Sequence, residues 1–151
     1  MANVLAWAWD QNAFSYVSSP AIACIEAATP RWLKDVLCLP DGAEGALCTV
    51  ATMANFTCLA AARKKVLADA GWDVDRDDLL GAPTITVVVG EEAHAMFYKV
   101  LSMLGLGRER LVTVPADAQG RIRADGLPPL DGPSIVCLPP GNVNSGAFDP
   151  A

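Results

Sequence analysis

Thr84-Ile85-Thr86-Val87-Val88-Val89 is the stretch that decides the fold. Every residue in it is β-branched, and its apolar side chains fall on both faces of an extended chain. Such a run fits a strand covered on both sides, as in the interior of a parallel sheet. Downstream, residues 93–104 read as a helix closed by Gly105, and residues 111–114 and 134–138 read as further strands. A polar, hairpin-like excursion near residues 118–123 lies between those two strands. Upstream, residues 52–70 read as a helix closed by Gly71, with Phe56, Leu59, Ala60 and Leu67 on its buried face. A short apolar run over 46–49 is expected as a strand before it, and residues 73–78 as a loop after it. This alternation is that of an α/β protein with a mainly parallel sheet flanked by helices. In such sheets ligands bind off the carboxyl ends of the strands.

The first third of the chain is helical in pattern. Residues 3–10 form a short Ala/Trp-rich helix that ends at Asp10-Gln11-Asn12. Ser19-Pro20 reads as a helix start, with a capping hydroxyl and a proline in the first turn. Ile22, Ile25, Trp32, Leu33, Val36 and Leu37 then recur on one apolar face over residues 20–37. Pro30 lacks a backbone donor and is expected to interrupt and kink that helix.

Composition removes several function classes. At 151 residues with 52% hydrophobic and 19% charged side chains, the chain can bury a core, and disorder is excluded. Its formal charge of −6 and the lack of a basic patch beyond Arg63-Lys64-Lys65 argue against nucleic-acid and anionic-membrane partners. The apolar stretches are shorter than the ~18 residues of a spanning helix. The first residues lack a basic segment and a cleavage site, so a cytoplasmic location is expected. Cys24, Cys38, Cys48, Cys58 and Cys137 are odd in number and form no C-x-x-C pair. They read as free, mostly buried thiols rather than disulfide or zinc ligands. Asp73-Val74-Asp75-Arg76-Asp77 imitates a calcium loop but has Asp78 where that loop needs glycine.

Three segments could carry chemistry, and each also has a plain structural reading. Thr49-Val50-Ala51-Thr52-Met53 places hydroxyls and small residues at a helix N-terminus, either an anion site or simply a threonine cap. His94 is the one histidine and follows the strongest strand; it is a ligand contact or a helix-capping surface residue. Asn142 and Asn144 follow the last strand within Gly141-Asn142-Val143-Asn144-Ser145-Gly146, as site residues or as turn residues.

Taken in order, these segments resemble the group II pyridoxal-phosphate-dependent decarboxylases, which include the aromatic amino-acid, histidine, tyrosine and glutamate decarboxylases. Asp10-Gln11-Asn12 with Ser19-Pro20-Ala21 is similar to the family's Asp-Gln-Asn…Ser-Pro-Ala segment. Residues 49–56 followed by Ala61-Ala62-Arg63 lie where the family has Ser-Gly-Gly-Thr-Glu-Ala-Asn-Leu and then Ala-Ala-Arg. Glu92-Ala93-His94 with Lys99 resembles its Glu/Gln-Ala-His…Lys segment, and Gly146-Ala147-Phe148-Asp149-Pro150 matches its Gly-Ala-Phe-Asp-Pro intact. The resemblance implies part of a fold-type I large domain, a single domain cut short at both ends. It also implies a homo-oligomer and removal of CO2 from an L-amino acid. Pyridoxal phosphate would be held at Ala51 and Thr52, stacked by His94, which counts as catalytic, and lined by Asn142. The family's pyridine-pairing aspartate and Schiff-base lysine have no counterpart among these segments. The chain alone is therefore expected to be inactive, and a non-catalytic binding or assembly module is the alternative. Val50-Ala51 replaces Gly-Gly, Met53 an acidic residue, and Asn142-Val143 a Thr-Thr pair.

Overall fold

The computed structural model describes residues 2–12, 15–108 and 110–150; Ala13 and Phe14, which follow the Asp-Gln-Asn segment, lie outside the described residues. Chain contacts divide the protein into two compact units, residues 1–49 and 50–151.

The second unit is built on three parallel strands. Strand β1 (Thr86–Gly90) lies between β2 (Leu111–Val114) and β3 (Ser134–Cys137). Val87 pairs with Leu111 on one side and with Ile135 on the other. The decisive stretch is therefore the central strand, as its composition requires. Its side chains alternate between two apolar clusters. Val87 and Val89 pack with Leu59, Leu67, Val100 and Leu101, whereas Val88 packs with Val114 and Ile122. The first cluster joins the sheet to helices α3 (Ala51–Asp69) and α5 (Ala95–Met103). On the opposite face Ile122 comes from the polar excursion, which closes on itself through an antiparallel bridge between Ala116 and Ile122.

Both long helices of this unit end in the same way. After α3, Gly71 takes φ +79°, Trp72 N–H donates to Leu67 O at 2.9 Å, and Gly71 N–H donates to Ala68 O. After α5, Gly105 takes φ +70°, and Leu106 N–H donates to Leu101 O at 3.0 Å. These are Schellman closures, in which a left-handed glycine lets the chain satisfy terminal carbonyls. Arg63 donates from Nη1 to Leu104 O at 2.6 Å, placing a cation against the negative end of α5. Residues 73–78, expected as a loop, hold a one-turn helix α4 (Val74–Asp77). Asp73 supplies the cap that the loop reading overlooked, accepting from Asp75 N–H at 3.1 Å.

The first unit contains α1 (Ala2–Ala8) and α2 (Pro20–Val36). The strand expected over 46–49 is not formed. No described strand lies in this unit, so the run has no ladder partner for its backbone groups. Helix α2 runs unbroken through Pro30; the lost donor does not end it. Its expected buried face is not buried: Ile25, Trp32 and Val36 are exposed, and α2 has no buried residue. Ser19 occupies the N-cap without a side-chain cap bond. Its fully buried hydroxyl instead accepts from Asn12 N–H at 2.6 Å, tying the Asp-Gln-Asn turn to the helix start. The thiols also differ from expectation, since Cys24, Cys38, Cys48 and Cys58 are exposed and only Cys137 is partly covered. Three of them belong to this unit, which offers no apolar interior. No helix among the described residues is long and apolar enough to cross a membrane.

Candidate functional site

The strand order β2-β1-β3 means that the chain leaves β1 toward one neighbour and later returns to its other side. In open α/β sheets, such a reversal leaves a crevice at the carboxyl edge. The loops that follow β1 and β3 meet at this edge.

Helix α3 supplies the first component. Its N-cap is Val50, in extended conformation at φ −147°, and no side chain caps it. The threonine-cap reading is thereby set aside, because valine has no acceptor to offer. Ala51 and Thr52 open the helix, where N–H groups lack intrahelical partners and the dipole favours an anion. Thr52 contributes a hydroxyl as well, which donates to Met96 Sδ at 3.8 Å. That contact sets the start of α3 against the first turn of α5.

His94 is the N-cap of α5, and its Nδ1 accepts from Met96 N–H at 3.2 Å. Capping in this way leaves the neutral ring's proton on Nε2. The capping role is thus real, and it holds an exposed imidazole at the sheet edge near Thr52. The two residues therefore contact the same methionine, one through its thioether and one through its backbone.

Asn142 supplies the third component. Its Nδ2 donates to Glu92 Oε2 at 2.7 Å, two residues before His94. Its Oδ1 accepts from Asn144 N–H at 2.9 Å and Ser145 N–H at 3.2 Å. Asn142 is a turn residue by its backbone, since Gly146 N–H donates to its carbonyl at 2.8 Å, yet its side chain reaches the β1 loop. Asn144 enters through its backbone in this network.

The excursion between β2 and β3 braces the same edge. Glu91 Oε1 accepts from Ala116 N–H at 2.7 Å, and Ser145 Oγ donates to Gln119 O at 2.5 Å. Asp149 Oδ1 accepts from Ile122 N–H at 2.8 Å, while its buried Oδ2 has no hydrogen-bond partner. Asp117 turns the excursion tightly. Hydrogen bonds from the Arg121 backbone and then its side chain hold its carboxyl below the usual carboxylate range. Sequence reading passed over Glu92, Gly120 and Asp149 as site components. The intact Gly-Ala-Phe-Asp-Pro segment was the available signal for Asp149, but no spacing rule links Glu92 or Gly120 to Asn142.

Among the described residues no group of three or more metal-ligating side chains gathers. The fit to pyridoxal phosphate rests on the edge itself. An uncapped helix start suits a phosphate dianion, a held imidazole suits a flat ring, and an oriented amide offers a donor.

Comparison with known proteins bears on the family and the fold. The model of the pyridoxal-dependent decarboxylase conserved domain matches residues 1–129. An L-2,4-diaminobutyrate decarboxylase from Acinetobacter baumannii is 26% identical over 99% of this chain, which covers 33% of that protein. The glutamate decarboxylase domain of a Vibrio parahaemolyticus diaminobutyrate enzyme superposes with a TM-score of 0.81. It is 24% identical, over 98% of this chain and 34% of that one. An Oryza sativa TDC structure holding PLP and tryptamine gives a TM-score of 0.65 at 22% identity, over 80% of this chain and 26% of that one. These likenesses establish the α/β fold. The chain spans about a third of the length of the relatives it matches.

Proposed function

The chain belongs to the pyridoxal-dependent decarboxylase family, and on that premise we propose that its second unit is the phosphate- and ring-holding part of a pyridoxal-phosphate site that acts on an L-amino acid. The observation that carries this reading is the convergence of three separate sequence segments on one sheet edge: Thr52 on Met96, His94 as cap of the same turn, and Asn142 on Glu92.

Each residue has a defined task. Ala51 and Thr52 would bind the phosphate through their backbone N–H groups. His94 would stack on the pyridine ring, its orientation fixed by the Nδ1 cap. Asn142 donates from the substrate side. Bound pyridoxal phosphate supplies the electron sink for loss of CO2. The surrounding residues position the ring. By the resemblance none of the four lysines, Lys34, Lys64, Lys65 and Lys99, stands where the family has its Schiff-base lysine; Lys64 and Lys65 pair with Asp75 and Asp69, and Lys34 donates to Asp41 O. Position without that amine gives binding but no turnover by the 151-residue chain. The exposed Trp7, Trp9, Trp32 and Val36 of the first unit support a homo-oligomer, because apolar patches mark interfaces. A cytoplasmic location and the assignment of residues 1–151 to part of one cofactor-binding large domain complete the proposal. The side chains at Val50 and Ala51, where the family has two glycines, favour a non-catalytic binding module as the second reading.

Ala51→Pro tests the phosphate site cleanly. Proline is accommodated at the first helical position, and the extended Val50 that precedes it is compatible. The substitution removes one N–H and little else. Pyridoxal phosphate affinity, followed by ring absorbance and by the amide shifts of residues 52 and 53, is expected to fall about tenfold with helicity unchanged. Equal affinity, or shifts confined to other residues, would overturn the reading. CO2 release above that of free cofactor from a panel of L-amino acids would overturn the expected inactivity of the chain.

A further inference from the structure

We infer that Glu92 is a positioning residue for Asn142, and that Gly120 is the space that lets the two side chains meet; the functional weight of this clamp rests on the reading of Asn142 proposed above. Glu92 has so far figured only as the partner of Asn142. It is solvent-exposed and follows β1 by two residues, yet its carboxylate accepts from Asn142 Nδ2 across 50 residues of sequence at 2.7 Å. A carboxylate acceptor makes this a charge-assisted bond, stronger than a neutral pair.

The asparagine amide is held at both ends. Its oxygen takes the backbone N–H groups of Asn144 and Ser145, and one of its two N–H groups goes to Glu92. That arrangement fixes which end of the amide is oxygen and leaves the second N–H to meet a ligand. Without Glu92 the Oδ1 bonds still define the turn, but the nitrogen end loses its anchor. Glu92 therefore acts on the direction of a donor rather than on the fold.

Gly120 completes the clamp by what it lacks. A Cβ there would lie 2.2 Å from Asn142 Nδ2 and 2.6 Å from Glu92 Oε2, which is shorter than any nonbonded contact. Both atoms are ends of flexible side chains, so the pair would part before the backbone moved. Gly120 is itself set by the turn: Gly120 N–H donates to Asp117 O at 2.9 Å, at φ +76°. The excursion thus delivers a hydrogen atom, and no more, to the one point where a methyl group would separate Glu92 from Asn142.

The test uses the 151-residue chain in four variants. Glu92→Leu removes the acceptor, Glu92→Gln keeps one, and Gly120→Ala inserts the methyl group. Gly71→Ala is the strain control, because it has a similar φ of +79° and nothing within 4 Å of its added Cβ. The first readout is the side-chain amide pair of Asn142 in 15N–1H spectra. Glu92→Leu and Gly120→Ala are expected to move it toward the shifts of a free asparagine amide, Glu92→Gln to restore it in large part, and Gly71→Ala to leave it alone. An unmoved Asn142 amide in Glu92→Leu, or equal movement in Gly71→Ala, would overturn the clamp. The second readout is pyridoxal phosphate affinity. It is expected to drop about tenfold in Glu92→Leu and Gly120→Ala, and to stay within about threefold in Glu92→Gln. A moved amide with unchanged affinity would uphold the clamp and overturn the placement of Asn142 in the cofactor site.

Discussion

The two units carry the same kind of hydrophobic signal and treat it in opposite ways. Helix α2 has an apolar face as regular as that of α5, yet α2 buries none of it while α5 buries Val100 and Leu101 completely. Every fully buried hydrophobic side chain among the described residues lies between Leu59 and Ile135. The difference is the sheet. In the second unit the β-branched strand β1 offers a surface on each face, with α3 and α5 docked on one and Ile122 of the excursion on the other; among the described residues of the first unit there is nothing comparable. Amphipathic periodicity therefore predicts a helix and a sticky face, but whether that face is core or surface depends on the partner.

The largest expected effect breaks or upholds this contrast directly. Leu67→Ala should cost about 2–5 kcal/mol, the range for emptying a fully packed site. Trp32→Ala, at a side chain 67% exposed, should change stability by no more than about 0.5 kcal/mol in the same urea titration. A comparable loss at Trp32 would mean that α2 is packed in solution, and a loss that depends on protein concentration would assign the packing to a second copy.

Next in size is thiol chemistry. Burial pushes the Cys137 thiol up to about 11, so it holds little thiolate at neutral pH. Cys24, Cys38, Cys48 and Cys58 are exposed. Titration with a chromogenic disulfide should show four fast equivalents and a fifth slower by at least about tenfold. Raising the pH toward 11 should narrow the gap. A fifth equivalent that reacts with the others would show the sheet edge at β3 to be open.

The second unit was legible in sequence because its signals are local and agree. Val87-Val88-Val89, the helix-closing Gly71 and Gly105, and the helix they terminate each point to the same α/β layer arrangement. The geometry of the candidate site was legible in part, since Thr52 and His94 both contact Met96 and Asn142 reaches Glu92. The clamp was not legible, because a hydrogen bond between Glu92 and Asn142 depends on register, and no residue pattern announces a 50-residue contact. The first unit misled for a related reason. The apolar run over 46–49 has a strand's composition, but a strand needs a partner that composition cannot reveal. The Ser19 hydroxyl has a cap's position, but Asn12 N–H had already claimed it.

The smallest expected effect lies within the second unit, where a single carboxylate ties the excursion that braces the site. Asp117 Oδ1 accepts from Gln119 N–H at 2.8 Å and Arg121 N–H at 3.0 Å, and its Oδ2 from Arg121 Nε at 2.8 Å. The Arg121 backbone bond first, and then its side chain, lower the folded-state pKa. A lowered pKa means that the stabilisation is fully present above the unfolded value near ~3.9 and is lost as pH falls through the folded one. The Gln119 and Arg121 amide resonances should therefore hold steady from pH 7 to about 4 and move only below it. Asp117→Asn should abolish that acid step while leaving Val87 and Leu101 protected from hydrogen exchange, because the core beneath does not depend on the turn. The site edge should feel the change weakly, through Gly120. If the two amides instead titrate at the ordinary carboxylate value, the turn is not held by Asp117 in solution. Gly120 then has no fixed place opposite Asn142.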